Sequence, residues 1–404
     1  MLSRVGFFGL VAVVSLAFAG CTEKPSTRWL KGNLHTHSFW SDGDDFPESI
    51  LAWYVDHDYD FVAISDHNTV ADSERWLTIS MADPDYATFQ DYLEEFGMDW
   101  VEHVGGTDSV SVRLKTFAEY AGRFNNPGEF LVMRSEEISD RFERKPIHLN
   151  ITNSVEYIAP QGGTSVVDVM QRNIDAVLEQ RRVTGQPMLP HINHPNFGWA
   201  ITAEELAQVE GERFIEVYNG HPAVHNEGDS LRPSVEMIWD YVNTRHVEEG
   251  RPLVFGIGVD DSHDYREWGM GHVNPGRAWI MVNAEDLSAG SIIEAMESGA
   301  FYVSTGVQLD TIVFDGSSLS ITVQEEAGVE YTIQFIGTTG DQAEAGETSQ
   351  SSEVLYEVIG TSASYTLSDS DLFVRAKVIS SKLKDNPYRE GEMERAWTQP
   401  VSFE

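Results

Sequence analysis

The deciding stretch is NLHTHSFWSDG, residues 33–43, which places His35, His37 and Asp42 within eight positions. The preceding RWLKG favours a strand, and on a strand His35 and His37 would point to the same face. Two imidazoles on one face, with a carboxylate on the following loop, are typical ligands of a divalent ion. A chance His-x-His in a surface strand is the alternative that this stretch alone leaves open.

Beyond this stretch, short β-branched or aromatic runs alternate with amphipathic helical patterns. The predicted strands are LKGNLHTH (30–37), FVAISDHN (61–68), FLVMRSEEIS (130–139), PIHLNIT (146–152), PMLPHINHP (187–195), FIEVYNGH (214–221) and PLVFGIGVDDSH (252–263). The helical patterns occupy residues 166–185, 202–208 and 234–243. The first can end at Gly185, and the second can begin with a capping box of Thr202 and Glu205. Alternating strands and helices favour parallel β/α units, and seven of them suggest a barrel.

Side chains that can bind metal fall at the C-terminal ends of six predicted strands. In chain order they are His35 and His37 (with Asp42 on the loop), His67, Glu137, His148, His194, and Asp261 with His263. The active sites of β/α barrels form at that end, where the loops after the strands converge. The pattern therefore predicts that these side chains meet in one metal site.

With these residues in view, the sequence resembles the PHP superfamily, named for polymerase and histidinol phosphatase. The motifs that carry the resemblance, in order, are HTHSFWSDG, AISDHN, EEIS, IHLNI, NHPN and DDSHD, and they cover roughly residues 29–307. The stretches VYNGHPAVHNEGD, PGRAWIMV and RAWTQPV are similar to an exported branch related to carbaryl hydrolase. The resemblance implies an α/β fold, a distorted (β/α)7 barrel of PHP type.

The resemblance also implies three divalent ions and their ligands. The first ion would take His35, His37, Glu137 and Asp261, the second Asp42, His67 and His263, and the third His148 and His194 with Glu137 as a bridge. The family pattern places the glutamate directly before Ile138, which selects Glu137 over Glu136, and strand alternation agrees in part. Such ligands accept Zn, Mn or Fe, so the identity of the metals stays open.

The charge of this site indicates its chemistry. Three divalent ions would carry +6 and three carboxylates −3, leaving a net charge of about +3 that acidifies bound water and holds developing negative charge. Small phosphate mono- or diesters, attacked by a hydroxide that bridges the ions, fit this site best. The alternative is hydrolysis of a carbamate or carboxylic ester at the same ions. A metal-binding module without activity is disfavoured because all nine ligands are intact.

Five further assignments concern substrate and proton transfer. The strand FIEVYNGH has no metal ligand, yet its end should face the same pocket, where Asn219 and His221 would lie. We predict that His221 contacts the substrate or leaving group, that Asn219 orients it, and that Asp261 is catalytic as well as a ligand. Lys145 and Arg141 are candidate phosphate contacts. A loop-bracing histidine and ordinary surface charges are the alternatives.

Composition and patterning predict the domain organisation. The 404 residues leave room for two domains, and 65 acidic against 27 basic residues, a net charge of −38, argue against binding a nucleic-acid polymer. The barrel is predicted over residues 22–307, with a helical insertion near 72–128 that caps the site. Alternating apolar and polar residues predict a small antiparallel β-sandwich over 308–404, whose closing RAWTQPVSF returns to the barrel. No protein partner can be inferred.

Residues 1–21 predict export. Arg4 supplies positive charge, and residues 5–18 form an apolar run too short for a comfortable membrane span. The following AGC resembles a bacterial lipoprotein box, and Cys21 is the only cysteine. We predict lipid anchoring at Cys21 in the cell envelope as the only membrane attachment. Ordinary signal cleavage, which would give a periplasmic protein, is the alternative.

Overall fold

The computed structural model describes residues 26–340 and 352–403, so the predicted export signal with Cys21 lies outside the described residues. The strands are β1 (Arg28–Asn33), β2 (Phe61–Ile64), β3 (Arg75–Ser80), β4 (His103–Gly105), β5 (Ser109–Leu114), β6 (Leu131–Phe142), β7 (Lys145–Thr152), β8 (Leu189–Ile192), β9 (Phe214–Asn219), β10 (Phe255–Val259), β11 (Trp279–Ala284), β12 (Phe301–Ser304), β13 (Leu309–Phe314), β14 (Ser318–Val323), β15 (Tyr331–Thr339), β16 (Glu353–Ile359), β17 (Ser362–Thr366), β18 (Asp371–Leu383) and β19 (Met393–Thr398). The helices are α1 (Pro47–Asp56), α2 (Asp85–Phe96), α3 (Phe117–Phe124), α4 (Val166–Thr184), α5 (Ala203–Leu206), α6 (Val235–Glu248) and α7 (Ala289–Glu297). Among the described helices, none combines the length and apolar composition that a membrane span requires.

One large sheet organises this mixed α/β chain, and the seven predicted strands are neighbours in it. Its order is β10-β9-β8-β7-β6-β2-β1-β11-β12-β19-β18-β15-β16. The pairs β1–β2, β2–β6, β8–β9 and β9–β10 are parallel, as the β/α pattern predicted. Strand β7 is antiparallel to both neighbours, so the prediction of seven parallel units is wrong there. Only Glu143 and Arg144 separate β6 from β7, and a parallel crossover needs a dozen or more residues.

The chain segments after β1 and after β10 meet although the strands lie far apart in the sheet order. Thr36 and Ser262 form an isolated parallel bridge. The amide of Asp261 donates to the carbonyl of His35 at 3.0 Å, and the amide of His37 donates to the carbonyl of Ser262 at 2.9 Å. These backbone bonds place the first and last metal-binding motifs of the sequence beside each other.

The three predicted helices are present, and the two predicted boundary signals, Gly185 and the capping box of Thr202 and Glu205, are confirmed. Helix α4 begins behind Ser165, whose side chain accepts from the amide of Asp168, and it ends before Gly185 in the left-handed conformation. Helix α5 begins with the predicted capping box of Thr202 and Glu205. The buried faces of α4 and α6 join the same hydrophobic cluster as the strands of the first half of the large sheet. This packing fixes the loops between the strands.

The insertion before β6 differs from the helical cap that was predicted. Strands β3, β5 and β4 form an antiparallel three-stranded sheet, and α2 and α3 accompany it. The run SVSVRL over β5 alternates half-buried and buried residues, a strand period that a helical interpretation overlooks. The insertion is therefore mixed in structure.

The C-terminal strands are antiparallel, as predicted, but they do not all stand apart from the first half. Strands β19, β18, β15 and β16 extend the large sheet, and β13, β14 and β17 form a small one. Buried side chains of both sheets form one hydrophobic cluster. The predicted return of the closing segment is confirmed, because β19 pairs with β12 and Gln399 bonds the backbone of Gly256.

Candidate metal centre

Four side chains predicted for the first ion converge in a fully buried cluster. His35 and His37 follow β1, Glu137 lies within β6, and Asp261 follows β10. Asp261 Oδ1 lies 3.1 Å from His35 Nε2 and 3.2 Å from His37 Nε2, and the two Nε2 atoms are 3.1 Å apart. The Glu137 oxygens lie 3.5 and 3.7 Å from the same two nitrogens.

This spacing fits a divalent ion. Ligands about 2.1 Å from a tetrahedral ion lie about 3.4 Å from one another, and His and carboxylate are among the donors that such ions take. The two imidazole nitrogens contact each other and the two carboxylates at 3.1–3.7 Å, and His35, His37 and Glu137 form a group of donors suited to one ion. Glu136, the neighbour rejected in the sequence, accepts from the amide of Ile158 instead.

The three side chains predicted for the second ion also meet. Asp42 Oδ2 lies 3.4 Å from His67 Nε2, and Asp42 Oδ1 lies 3.4 Å from His263 Nε2. The side chain of Asp42 is 55% exposed, so this part of the centre faces solvent. His37 presents its Nδ1 at 3.7 Å from the same carboxylate, while its Nε2 faces Asp261.

The third predicted set is looser. Glu137 Oε1 lies 3.0 Å from His148 Nδ1 and 3.5 Å from His194 Nε2. Four groups of three or more described donors, each residue offering one ligand atom, have these ligand atoms within 4.8 Å of one another, and none includes His194 or Asp261. One group joins His67, Glu137 and His148, and another joins Glu216 with His35 and His191.

The route by which His148 reaches the site differs from the prediction. It was expected at the C-terminal end of a parallel strand, but it lies mid-strand in β7, opposite Ser139 of β6. Because β7 runs in the opposite direction, its first half faces the region that the ends of the parallel strands reach. His148 thus joins the others by a hairpin.

The backbone is strained at the metal-binding motifs. His194 and Asp261 have φ angles of 25° and 51°, and Asn68, next to His67, has a φ of 51°. Residues other than glycine adopt such angles only where their surroundings fix them, and such sites are often functional. The centre is therefore held by the fold and not by local preference.

Charges within the centre shift the pKa values of its side chains. Burial alone would lower the pKa of His67, but Glu137 and Asp42 outweigh it and raise that pKa to about 10. Burial, with His263 beside it, lowers the pKa of His37 to about 3. Imidazoles bind metal only as neutral rings, so loading the centre must release protons from the histidines that the carboxylates hold protonated.

One buried carboxylate at the centre was missed in the sequence. Glu216 of β9 contacts the ring of His35 at 2.6 Å and that of His191 at 3.4 Å. Strict alternation puts Glu216 and Asn219 on opposite faces of the strand. The register against β10 shifts beside Val217, and this bulge turns both side chains toward the centre.

His221 and Asn219 lie where the sequence placed them. The His221 ring lies 5.9 Å from the ring of His263, and its Nδ1 accepts from the amide of Ala223. The Asn219 amide donates to Asp261 Oδ2 at 3.0 Å, and its oxygen accepts from the amide of His221. Asn219 therefore links the candidate acid to a candidate ligand.

Arg141 and Lys145 lie at the tip of the β6–β7 hairpin. Arg141 is exposed and, by alternation, shares the face of Glu137 two positions beyond Ser139. Lys145 lies 3.5 Å from Glu205, so that cation is partly neutralised. Arg141 is the better placed of the two for an anionic substrate.

Neither a protein-family model nor a curated protein matches this chain. A two-domain protein from Bacteroides vulgatus, containing a predicted PHP-like metal-dependent phosphoesterase, is similar at a TM-score of 0.41 and 12% identity, over 93% of this chain and 96% of that one. A candidate metal-dependent phosphoesterase from Bifidobacterium adolescentis gives 0.29 and 13%, over 57% and 87%. An amidohydrolase from Chromobacterium violaceum, with bound sulfate and no metal, gives 0.29 and 13%, over 58% and 88%. These neighbours are described as phosphoesterases and an amidohydrolase, and the carbaryl-hydrolase branch stays a prediction.

Proposed function

We propose that this chain is a metal-dependent hydrolase of small phosphate mono- or diesters. The observation that carries the proposal is a pair of imidazoles that contact each other and two carboxylates at 3.1–3.7 Å, with the donors of two further predicted ions beside them. When bound, divalent ions acidify water and polarise an ester. The donors that would hold them are the nine side chains His35, His37, Asp42, His67, Glu137, His148, His194, Asp261 and His263.

The remaining side chains divide the other tasks of the reaction. His221 donates to the leaving group from Nε2, because its Nδ1 already accepts from the backbone. Asn219 fixes the position of His221 relative to Asp261 through its hydrogen bonds to both residues. Arg141, and Lys145 to a lesser degree, attract the negative charge of a phosphate ester. A net charge of about +3 at the loaded centre favours that substrate class.

The architecture that we infer around the centre is a distorted (β/α)7 barrel with an antiparallel sandwich behind it. The bridge between Thr36 and Ser262, which joins the segments after β1 and β10, supports closure of the barrel. The shared hydrophobic cluster of the two C-terminal sheets supports the sandwich. The boundary near residue 307 is crossed by pairing of β12 with β19, so the two parts are connected by sheet as well as chain.

A carbamate or carboxylic ester is the second candidate substrate. The ring of Phe197 lies 5.1 Å from His194 and 5.9 Å from His221, and gives the centre one apolar wall. Such a wall suits an organic group more than a bare phosphate. Because both substrate classes need the same ions, their relative rates decide between them.

The test begins with elemental analysis of protein purified without added metal. Loaded and chelated samples are then assayed on phosphate monoesters, phosphodiesters, carbamates and carboxylic esters. The proposal expects close to three ions per chain and the fastest turnover on a phosphate ester. Faster cleavage of neutral esters would favour the second candidate, and bound metal without any turnover would leave a metal-binding module.

We further propose that the protein is exported and anchored by lipid at Cys21, and is otherwise periplasmic. The charged start, the apolar run and the single cysteine support this location. Small soluble esters of the cell envelope would then be its substrates.

A further inference from the structure

Glu216 is a buried carboxylate that no predicted ion uses. It is 1% exposed and lies in β9, whose bulge at Val217 directs it toward the metal centre. A buried charge is costly unless several donors satisfy it. The donors around Glu216 therefore indicate what holds it there.

Each oxygen of Glu216 serves a different part of the centre. Its Oε1 lies 2.6 Å from His35 Nδ1. Its Oε2 accepts from the backbone amide of His194 at 2.8 Å and from the side chain of Asn219 at 2.9 Å. Asn219 in turn donates to Asp261. One carboxylate thus contacts ligands predicted for the first and third ions.

Glu216, His35 and His191 present ligand atoms within 4.8 Å of one another, but the geometry of Glu216 favours hydrogen bonding over metal binding. Two ligands of one tetrahedral ion lie about 3.4 Å apart, whereas Glu216 and His35 are separated by 2.6 Å, a hydrogen-bond length. His35 Nε2 already faces Asp261 and Glu137. A ring that donates from Nδ1 leaves an unprotonated Nε2, which is the form that binds a cation.

We propose that Glu216 is a positioning residue that fixes His35 in the metal-binding tautomer and holds the His194 backbone in its strained conformation. This inference rests on the proposed function, since it assumes that the centre binds metal. It also explains the bulge in β9, which brings Glu216 and Asn219 to one side. Through Asn219, the same carboxylate sets the position of Asp261.

The test is Glu216→Gln, which keeps the shape and removes half of the acceptors. In one orientation, the amide oxygen of the new glutamine faces His194 and Asn219, and its NH2 group faces His35 Nδ1. His35 must then accept at Nδ1 and carry its proton on Nε2, where the proton prevents metal binding. In the flipped orientation, the NH2 group of the glutamine faces two other donors, the backbone amide of His194 and the side-chain amide of Asn219, which lose their acceptor. Either way one ligand set is lost.

The readout is metal affinity, measured by competition with a chelator using Zn²⁺, Mn²⁺ and Co²⁺ one at a time. We expect 10–100-fold weaker binding of at least one ion, and an altered absorption spectrum of bound Co²⁺. The matched control is Glu136→Gln, which changes an equally buried carboxyl group of β6 bonded to the amide of Ile158. It should keep the wild-type affinities.

The outcomes separate the two proposals. Wild-type affinities and an unchanged Co²⁺ spectrum in Glu216→Gln, with metal bound by the wild type, would overturn the role of Glu216 alone. A wild type that binds no ion would overturn the proposed function and this inference together. Equal losses in Glu136→Gln would mean that any buried carboxylate change disturbs the centre, which would also overturn a specific role.

Discussion

His221→Asn is the substitution that best isolates proton donation to the leaving group. The Nδ1 atom of His221 accepts from the amide of Ala223 at 3.0 Å. Burial, with further effects from nearby charges, lowers the pKa of this imidazole, so the ring is mainly neutral at pH 7. A neutral ring with Nδ1 as acceptor carries its proton on Nε2. The proton is therefore on the atom that the loop does not use.

The variants can separate the two ring nitrogens. In His221→Asn the side-chain oxygen can take the place of Nδ1 and keep the bond from Ala223, while nothing replaces Nε2. In His221→Gln a polar group reaches the position of Nε2, but the loop bond is lost. General-acid catalysis contributes about 10²–10⁴-fold, or about 2.7–5.5 kcal/mol of barrier. We expect His221→Asn to lose about 10²-fold or more in kcat.

The assay is turnover of aryl esters whose leaving groups differ in pKa, with metal content measured on each sample. The loss in His221→Asn should be largest for poor leaving groups and smallest for good ones, at full metal content. An equal rate for the variant and the wild type across the series would refute the reasoning and make His221 a loop brace. Loss of metal would instead show that His221 is a ligand.

Three further predictions test other parts of the molecule. His35→Ala or Asp261→Ala should abolish turnover and lower the metal content, and full activity in either variant would contradict the site. Burial raises the pKa of Glu136 from 4.5 to about 8. The protonated side chain therefore makes its full contribution to the unfolding free energy below pH 4.5, and this contribution is lost as the pH rises through 8. Between pH 4.5 and 8, the unfolding free energy of Glu136→Gln should therefore fall less steeply with pH than that of the wild type, by up to about 1.4 kcal/mol per pH unit. Unfolding free energies from urea titrations that change with pH equally in both proteins would refute this prediction. Cys21→Ser should move the protein from the detergent-extracted membrane fraction to the soluble periplasmic one, unless the wild type is already soluble.

The strands were predictable because buried β-branched runs are long enough to show in the sequence. The antiparallel direction of β7 could also have been predicted from the sequence. Only six residues separate the predicted strands 130–139 and 146–152, too few for a parallel crossover, yet both were expected to be parallel. A connection of this length allows only a hairpin, so the antiparallel direction of β7 follows from the sequence.

The positions of the candidate metal donors were predictable because each follows or occupies a strand in a recognisable motif, whereas the position of Glu216 was not. In FIEVYNGH, alternation assigns Glu216 and Asn219 to opposite faces, and only the bulge at Val217 unites them. No residue type before Gly220 in that strand predicts a bulge. The strands of the insertion were missed for another reason, since β4 and β5 are short and lie between the helices α2 and α3.

Glu137 is the side chain that would join the predicted ions into one centre. Its oxygens lie within 3.5 Å of ring nitrogens of His35, His67, His148 and His194, which belong to all three predicted ligand sets. Burial would raise its pKa, but the histidines, His148 foremost, outweigh this and hold the pKa well below its ordinary value. The carboxylate therefore stays ionised whether protons or metal ions occupy the histidines around it. Because all four rings share this carboxylate, we expect the metal affinities of the three predicted positions to be coupled.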